Sequence, residues 1–410
     1  MSDPYFQTLF ANRIGGSNYG KSTEIYKFEK IKRAKRAALK DFPERSLLDF
    51  GIGENDGIAH AQVLEALQAE SGKWENRGYA DNGIFEFKQA AAAWLKREFG
   101  VSVDAEKEVN HCIGSKTALA MIPAAFINPG DVTLMTTPGY PVAGTHTAYY
   151  GGEVYNLPLL KKNGFLPDLS AVPKEILTRT KLLIINYPNS PTGALAPERF
   201  FKEVINFAKA NSIVVVNDAA HIMLSYAKPP MSFLQIEGAK DVGIEVHSLS
   251  KGFDMIGWRL GFIAGNERIV SAISDVKDNS DSGQFIAIQK AGAVALGNPD
   301  ISKNIRVKYE RRLNKLVNTL NKIGFSAEMP GGTYFLYVPA PKGTKGGASF
   351  ANAEDVSQFL IRERSVCTVP WDNAGSFLRF SVTYLAPTEA DEDALMKSLE
   401  ERLSGDAFVW

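Results

Sequence analysis

Four short apolar runs, each leading into a cluster of chemically useful residues, constrain this chain more than any other feature. Residues 132–136, 182–185, 213–216 and 243–246 are mainly apolar and rich in β-branched side chains. Helical patterns at 118–126 and 197–210 lie between several of them. Runs this short and continuously apolar read as strands buried on both faces. Their alternation with amphipathic helices predicts an α/β domain with a mostly parallel central sheet covered by helices. In an open sheet of that kind, ligands bind beyond the carboxyl ends of the strands.

The residues just past each run are therefore the place to look for a site. The first run leads to Pro138-Gly139-Tyr140-Pro141 and the second to Asn186-Tyr187-Pro188-Asn189-Ser190-Pro191-Thr192-Gly193. The third leads to Asn217-Asp218-Ala219-Ala220-His221, the fourth to His247-Ser248-Leu249-Ser250-Lys251. An aromatic ring, amides, hydroxyls, a carboxylate and a lysine converge on one edge of the sheet. That set suits a pyridine-aldehyde cofactor. A lysine holds it as a Schiff base, and a carboxylate against the ring nitrogen keeps that nitrogen protonated, so that the ring accepts electrons. Tyr140 can stack on the ring face. A phosphate needs backbone amides at a helix N-terminus, hydroxyls and a cation. Ile113-Gly114-Ser115-Lys116-Thr117 offers these, with Ser248, Ser250 and Arg259 beside it. Singly, each residue has a plainer reading: Lys251 as a surface lysine, Tyr140 as core, Ser115 and Lys116 as helix caps. Together they favour the cofactor, because a carboxylate such as Asp218 next to an apolar run is costly without a cationic partner.

Ser248-Leu249-Ser250-Lys251, with Arg259 eight residues beyond the lysine in Gly257-Trp258-Arg259-Leu260-Gly261, resembles the signature of the class I/II (fold type I) aminotransferases. The resemblance runs in order over nearly the whole chain. It implies pyridoxal 5′-phosphate as cofactor, Lys251 as the Schiff-base lysine, Asp218 as the ring-nitrogen partner and Tyr140 as the stacking ring. It further implies a substrate-binding turn at Gly51-Ile52-Gly53 and an α-carboxylate clamp at Arg379. Tyr79 would be lent to the phosphate of a neighbouring subunit, which implies a homodimer with shared sites. The implied reaction moves an amino group from an L-amino acid to a 2-oxo acid such as 2-oxoglutarate.

Three departures from the family pattern stand out. Ser190 precedes Pro-Thr-Gly where the family has Asn, with Asn189 one place earlier. His221 replaces a tyrosine, and Val369-Pro370-Trp371-Asp372-Asn373 replaces a Pro-Gly turn. The first two bear on the cofactor's 3′-oxygen, which is expected to meet Asn189 or Ser190, and His221. A histidine donor with a pKa of about 6.5 would change the strength of its bond across physiological pH. The rival reading is a core histidine that never meets the cofactor. Asp3-Pro4-Tyr5-Phe6, the Gly51-Ile52-Gly53 turn and Tyr334-Phe335-Leu336-Tyr337-Val338-Pro339 look most like the LL-diaminopimelate aminotransferase-like group. That likeness points to amino-acid biosynthesis and to lysine in particular. Glu54, Asn55 and loop 15–24 are then candidates for the distal end of the substrate. An aspartate- or aromatic-type aminotransferase and a fold-type-I lyase are the alternatives.

Composition supplies the exclusions. Lys+Arg and Asp+Glu both number 46, so no net field draws nucleic acid or an anionic membrane. No apolar stretch is long enough to span a bilayer, and the two cysteines, Cys112 and Cys367, read as buried thiols of a reducing, cytoplasmic compartment rather than as metal ligands. A chain of 410 residues exceeds one core. The expected division is 1–55 as an N-terminal arm and part of a small domain, 56–299 as the large cofactor-binding domain, and 300–410 as a smaller α+β domain. Gly15-Gly16-Ser17-Asn18-Tyr19-Gly20-Lys21-Ser22 satisfies the P-loop pattern, so a nucleotide hydrolase is a rival of a different class. Polar residues interrupt the strand a P-loop needs before it, and the motif reads as a loop.

Overall fold

A computed structural model describes residues 4–21, 27–226 and 229–410. Strand β1 (Leu48–Asp49) is followed by the seven strands of the central sheet. These are β2 (Val109–Cys112), β3 (Val132–Thr137), β4 (Glu153–Pro158), β5 (Thr180–Asn186), β6 (Val214–Asp218), β7 (Gly243–Ser248) and β8 (Gly261–Gly265). Their spatial order is β2-β8-β7-β6-β5-β3-β4. The pairs β4–β3, β3–β5, β5–β6 and β6–β7 are parallel, and β8 alone runs against its neighbours β7 and β2. The expected mostly parallel sheet is therefore present. Strands β5, β6 and β7 are almost wholly buried, as both-face coverage requires.

The carboxyl ends of β2, β3, β5, β6 and β7 share one edge, and each feeds a turn or helix that bears polar side chains. Helix Ser115–Phe126 starts directly after β2, and helix Glu198–Asn211 packs beside β6 with Phe200, Phe201, Val204, Ile205 and Ala208 inward. The 25-residue helix Pro299–Ile323 leads from this layer to the C-terminal sheets. There β9 (Phe335–Pro339), β12 (Val369–Trp371) and β13 (Phe377–Ser381) form an antiparallel sheet in the order β12-β13-β9. Strands β10 (Gly343–Thr344) and β14 (Phe408–Val409) pair with each other, and β11 (Val366–Cys367) pairs with β1. The basic helix Lys27–Asp41 buries Ile31, Ala34 and Ala38 against Ile361, Cys367 and Val369. The N-terminal segment through β1 thus packs on the C-terminal part.

Two expectations read differently in three dimensions. The P-loop-like segment follows a short helix, Pro4–Gln7, and not a strand; it folds as two 3-10 turns, Asn12–Ile14 and Gly16–Asn18, with Ser22 outside the described residues. Without a preceding buried strand the phosphate geometry of that motif is missing, and the nucleotide-hydrolase reading falls. Strands β2 and β8 lay hidden in the sequence, because Val-Asn-His-Cys and Gly-Phe-Ile-Ala-Gly are neither long apolar runs nor clean alternations. Among the described residues, no helix is long and apolar enough to cross a membrane.

Candidate active site

The strand ends and the first turn of helix Ser115–Phe126 enclose a cavity of about 240 Å³. One end is built for an anion. Gly114 has a φ of 75°, and a Cβ there would lie 2.4 Å from Nη2 of Arg259, so the guanidinium rests against the start of the helix. Nη1 of Arg259 donates to Ser250 Oγ (3.3 Å) and to the Ile256 carbonyl (3.0 Å). Arg259 itself has a φ of 55°, a costly left-handed conformation for a non-glycine residue, retained where the guanidinium meets the cavity. Ser115, Lys116, Ser248 and Ser250 complete this wall. Helix amides, hydroxyls and a cation could hold a phosphate here.

At the centre, Asp218 ends β6 with 5% of its surface exposed. Its carboxylate accepts the Ala220 N–H at 3.1 Å and has no ion-pair partner among the described residues. Burial pushes its pKa up to about 6, against the opposing pull of that N–H and of the charges on His247 and Lys251. A buried carboxylate held this way calls for a cation, and a protonated ring nitrogen is one. Lys251 lies in the turn after β7 with its ammonium donating to the Gly53 carbonyl (3.2 Å). Burial, then the charge of Arg259, lower its pKa to about 8, so a usable fraction is the free amine near neutral pH. Tyr140 lines the same cavity.

The other end holds Arg379, on β13. It is buried, donates through Nη2 to the Gly51 carbonyl (2.8 Å), lies over the Phe335 ring at 4.2 Å, and leaves its Nε without a partner. Burial lowers its pKa to about 10. A buried guanidinium with no carboxylate among the described residues is a receptor for one.

The class I and II aminotransferase model matches residues 45–398. The chain belongs to that family. It is 54% identical to an LL-diaminopimelate aminotransferase of Methanocaldococcus jannaschii, over 98% of either chain. It is 52% identical to an enzyme of the same name from Methanococcus maripaludis, over 100% of each. Among solved structures, a probable N-succinyldiaminopimelate aminotransferase from Thermus thermophilus superposes with a TM-score of 0.83 at 26% identity, covering 93% of this chain and 100% of that one. This aminotransferase is a pyridoxal 5′-phosphate enzyme, and its cavity fits that group: an anion pocket at one end, an uncompensated carboxylate at the centre and a lysine with a lowered pKa beside it.

Of the candidate residues, Gly53, Ser115, Lys116, Tyr140, Asp218, His221, Ser248, Ser250, Lys251, Arg259 and Arg379 all border the cavity of the aminotransferase. Asn189 does not. It is fully buried in the turn, where its Oδ1 accepts the Thr192 N–H (3.2 Å) and hydroxyl (2.6 Å). Ser190 and Asn186 border the cavity instead. Asn186 donates to the Asp218 carbonyl (2.7 Å) and accepts from the Ser190 N–H (2.8 Å), so it ties two strand ends together. Its position as the last residue of β5 was the available signal. Tyr334 and Phe335, at the start of β9, also line the wall; in the sequence they stand out only through their likeness to the LL-diaminopimelate group. Tyr79 is absent from this wall and is 85% exposed.

His221 faces the cavity with Nδ1 unpartnered, its ring edge-on to Tyr334 at 5.3 Å. Burial, then the charges of Lys251 and Arg379, lower its pKa to about 3. A pKa lowered this far favours the neutral ring at physiological pH, against the expected change of state there. Asn55 is taken up by the Lys251 carbonyl (2.8 Å) and Asp254 (2.5 Å), whereas Glu54 is exposed. Asp3, and residues 22–24 of loop 15–24, lie outside the described residues.

Proposed function

We propose that this aminotransferase takes its amino group from LL-2,6-diaminopimelate, passes it to a 2-oxo acid such as 2-oxoglutarate, and works as a homodimer of the cytoplasm. The likeness to enzymes of that name over the full chain, at 52% and 54% identity, carries the choice of donor. The buried free thiols Cys112 and Cys367 agree with a reducing compartment. The dimer reading rests on Tyr79, exposed and absent from the wall of its own cavity. The division into 1–55, 56–299 and 300–410 is kept as part of the proposal.

Bound pyridoxal phosphate supplies an electron sink that makes the substrate Cα proton removable. In this reading Arg379 binds the α-carboxylate in a two-pronged grip and so sets the Cα–H bond in front of Lys251. Lys251 Nζ takes the Cα proton and returns it one position along, as general base and then acid. Asp218 would hold the cofactor's ring nitrogen and favour its protonated form by its charge. Ser115, Lys116, Ser248, Ser250 and Arg259 would anchor the phosphate. Ser190 and neutral His221, which line the same cavity, would be the groups left to meet the cofactor's other polar substituents.

The test is a donor screen with purified protein and 2-oxoglutarate, reading glutamate formed. LL-diaminopimelate should give the highest kcat/KM. Turnover with aspartate or tyrosine but none with LL-diaminopimelate would overturn the donor and leave the family intact.

A further inference from the structure

Lys277 is 2% exposed, yet it stands in none of the roles described so far. It lies in helix Glu267–Asp278, and its ammonium donates to the backbone carbonyl of Asp81 and to the carboxylate of Asp281. Burying an ammonium costs several kcal/mol unless geometry and partners are excellent. The ammonium grips the short loop that displays Tyr79.

The loop is secured at every residue beyond the tyrosine. Ala80 bridges to Gly283, whose φ is 79° and whose added Cβ would lie 2.2 Å from the Ala80 carbonyl. The Gly83 N–H donates to the Ala80 carbonyl (2.7 Å). Asn82 donates to Asp278 (2.6 Å) and accepts from Asn110 (2.8 Å), and the Ile84 N–H donates to Gln289 (2.8 Å). Asp281 also accepts the Gly283 N–H (2.8 Å). A surface loop normally satisfies such groups with water. Here a buried lysine and a set of amides fix the backbone, while the tyrosine it carries is 85% exposed. On the far side of Gly283 the chain is tied to the phosphate end of its own cavity, since Gln284 donates to the carbonyls of Trp258 (2.7 Å) and Arg259 (2.9 Å).

We propose that Lys277, with Asp281, is a positioning residue that acts across the subunit boundary, holding Tyr79 where it closes the phosphate pocket of the neighbouring subunit. The proposal rests on the reading that Tyr79 is lent in this way. A tyrosine hydroxyl aimed at a phosphate is useful only within hydrogen-bond distance, so the loop that carries it must not drift. That demand accounts for the expense of burying Lys277 beneath a tyrosine that is absent from the wall of its own cavity.

Mixed dimers test it. Lys277→Met homodimers should bind pyridoxal phosphate about tenfold to a hundredfold more weakly, as for loss of one hydrogen bond to a charged group. Affinity is read by equilibrium dialysis and by borohydride-fixed cofactor on Lys251. Pairing Lys277→Met chains with an excess of Lys251→Ala chains gives each remaining Lys251 site a Tyr79 from a chain whose Lys277 is intact. Cofactor affinity and turnover per Lys251 should then return to within about twofold of wild type, and Tyr79→Phe chains paired likewise should recover as well. If Tyr79→Phe recovers and Lys277→Met does not, Lys277 acts inside its own subunit and the proposal is overturned. If neither recovers, the lending of Tyr79 is itself wrong and the proposal falls with it. Asp281→Asn, a milder change, carries the same experiment should Lys277→Met not fold.

Discussion

Two of the charge clusters among the described residues differ in kind, one closed and one open. In the first, Arg312 on helix Pro299–Ile323 pairs with Glu392 (2.8 Å) and Asp56 (3.0 Å) and donates to the carbonyls of Val382, Tyr384 and Ala386. Asp56 also accepts from Lys308 (2.9 Å) and Tyr309 (3.0 Å), and Glu392 from Arg311 (2.8 Å). Every charge has a partner. The second cluster is the cavity, where Asp218 and Arg379 are buried and Lys251 is half-buried, without a carboxylate–cation contact among them. The first joins the loop after Gly53 to the C-terminal helices. The second waits for charges that a cofactor and a substrate bring. Burial alone does not mark a functional group; burial with an unmet partner does.

The heaviest consequence of this contrast falls on stability. Arg312→Met strips buried Glu392 and half-buried Asp56 of their shared cation and three carbonyls of their donor, and should destabilise the fold by about 3–5 kcal/mol in urea unfolding. A loss under about 1 kcal/mol would mean that the closed cluster is not structural.

Asp218→Asn should act in the opposite sense. Raised from 3.8 to about 6, the carboxyl binds its proton more tightly folded than unfolded. Its stabilising contribution is full below pH 3.8 and is lost as pH rises to about 6. At a pH of about 8 the cofactor-free variant should therefore be more stable than wild type, by on the order of 3 kcal/mol. The cofactor-loaded variant should lose about 10²- to 10³-fold in the rate of Cα proton transfer. Equal stability together with an unchanged rate would remove Asp218 from the open cluster.

A lesser change is expected at His221. Its pKa, lowered from 6.5 to about 3, makes the folded state bind fewer protons than the unfolded one in that window. Stability is full above pH 6.5 and falls as pH drops toward about 3. His221→Phe should spare the cofactor-free protein roughly 2 kcal/mol of the loss that wild type suffers between about pH 8 and about pH 5. An equal acid response in both proteins would show that His221 is protonated in the fold.

Of the five parallel strands, the half-exposed edge strand β4 was not legible in the chain, but β3, β5, β6 and β7 were, because a strand buried on both faces must be a continuous apolar run. So were the residues standing just past the strand ends, and hence most of the cavity: Tyr140, Asp218, Ser248, Ser250 and Lys251 end their strands or lie shortly beyond them. Direction and distance belong to the folded molecule. Asn189 and Ser190 are chain neighbours, but the fold ties Oδ1 of the first to its own turn, leaving its Nδ2 buried without a partner, and puts the second on the cavity wall. Tyr334 and Phe335 reach the wall because β9 is brought against the Gly53 loop, where the Tyr334 hydroxyl donates to the Gly53 carbonyl at 2.7 Å. His221 keeps its place in the motif, yet its charge state follows from desolvation and from Lys251 and Arg379, residues 30 and 158 positions away in the chain. Chain order sets which groups are available; only packing sets which of them remain unpaired, because pairing and desolvation are properties of neighbours in space.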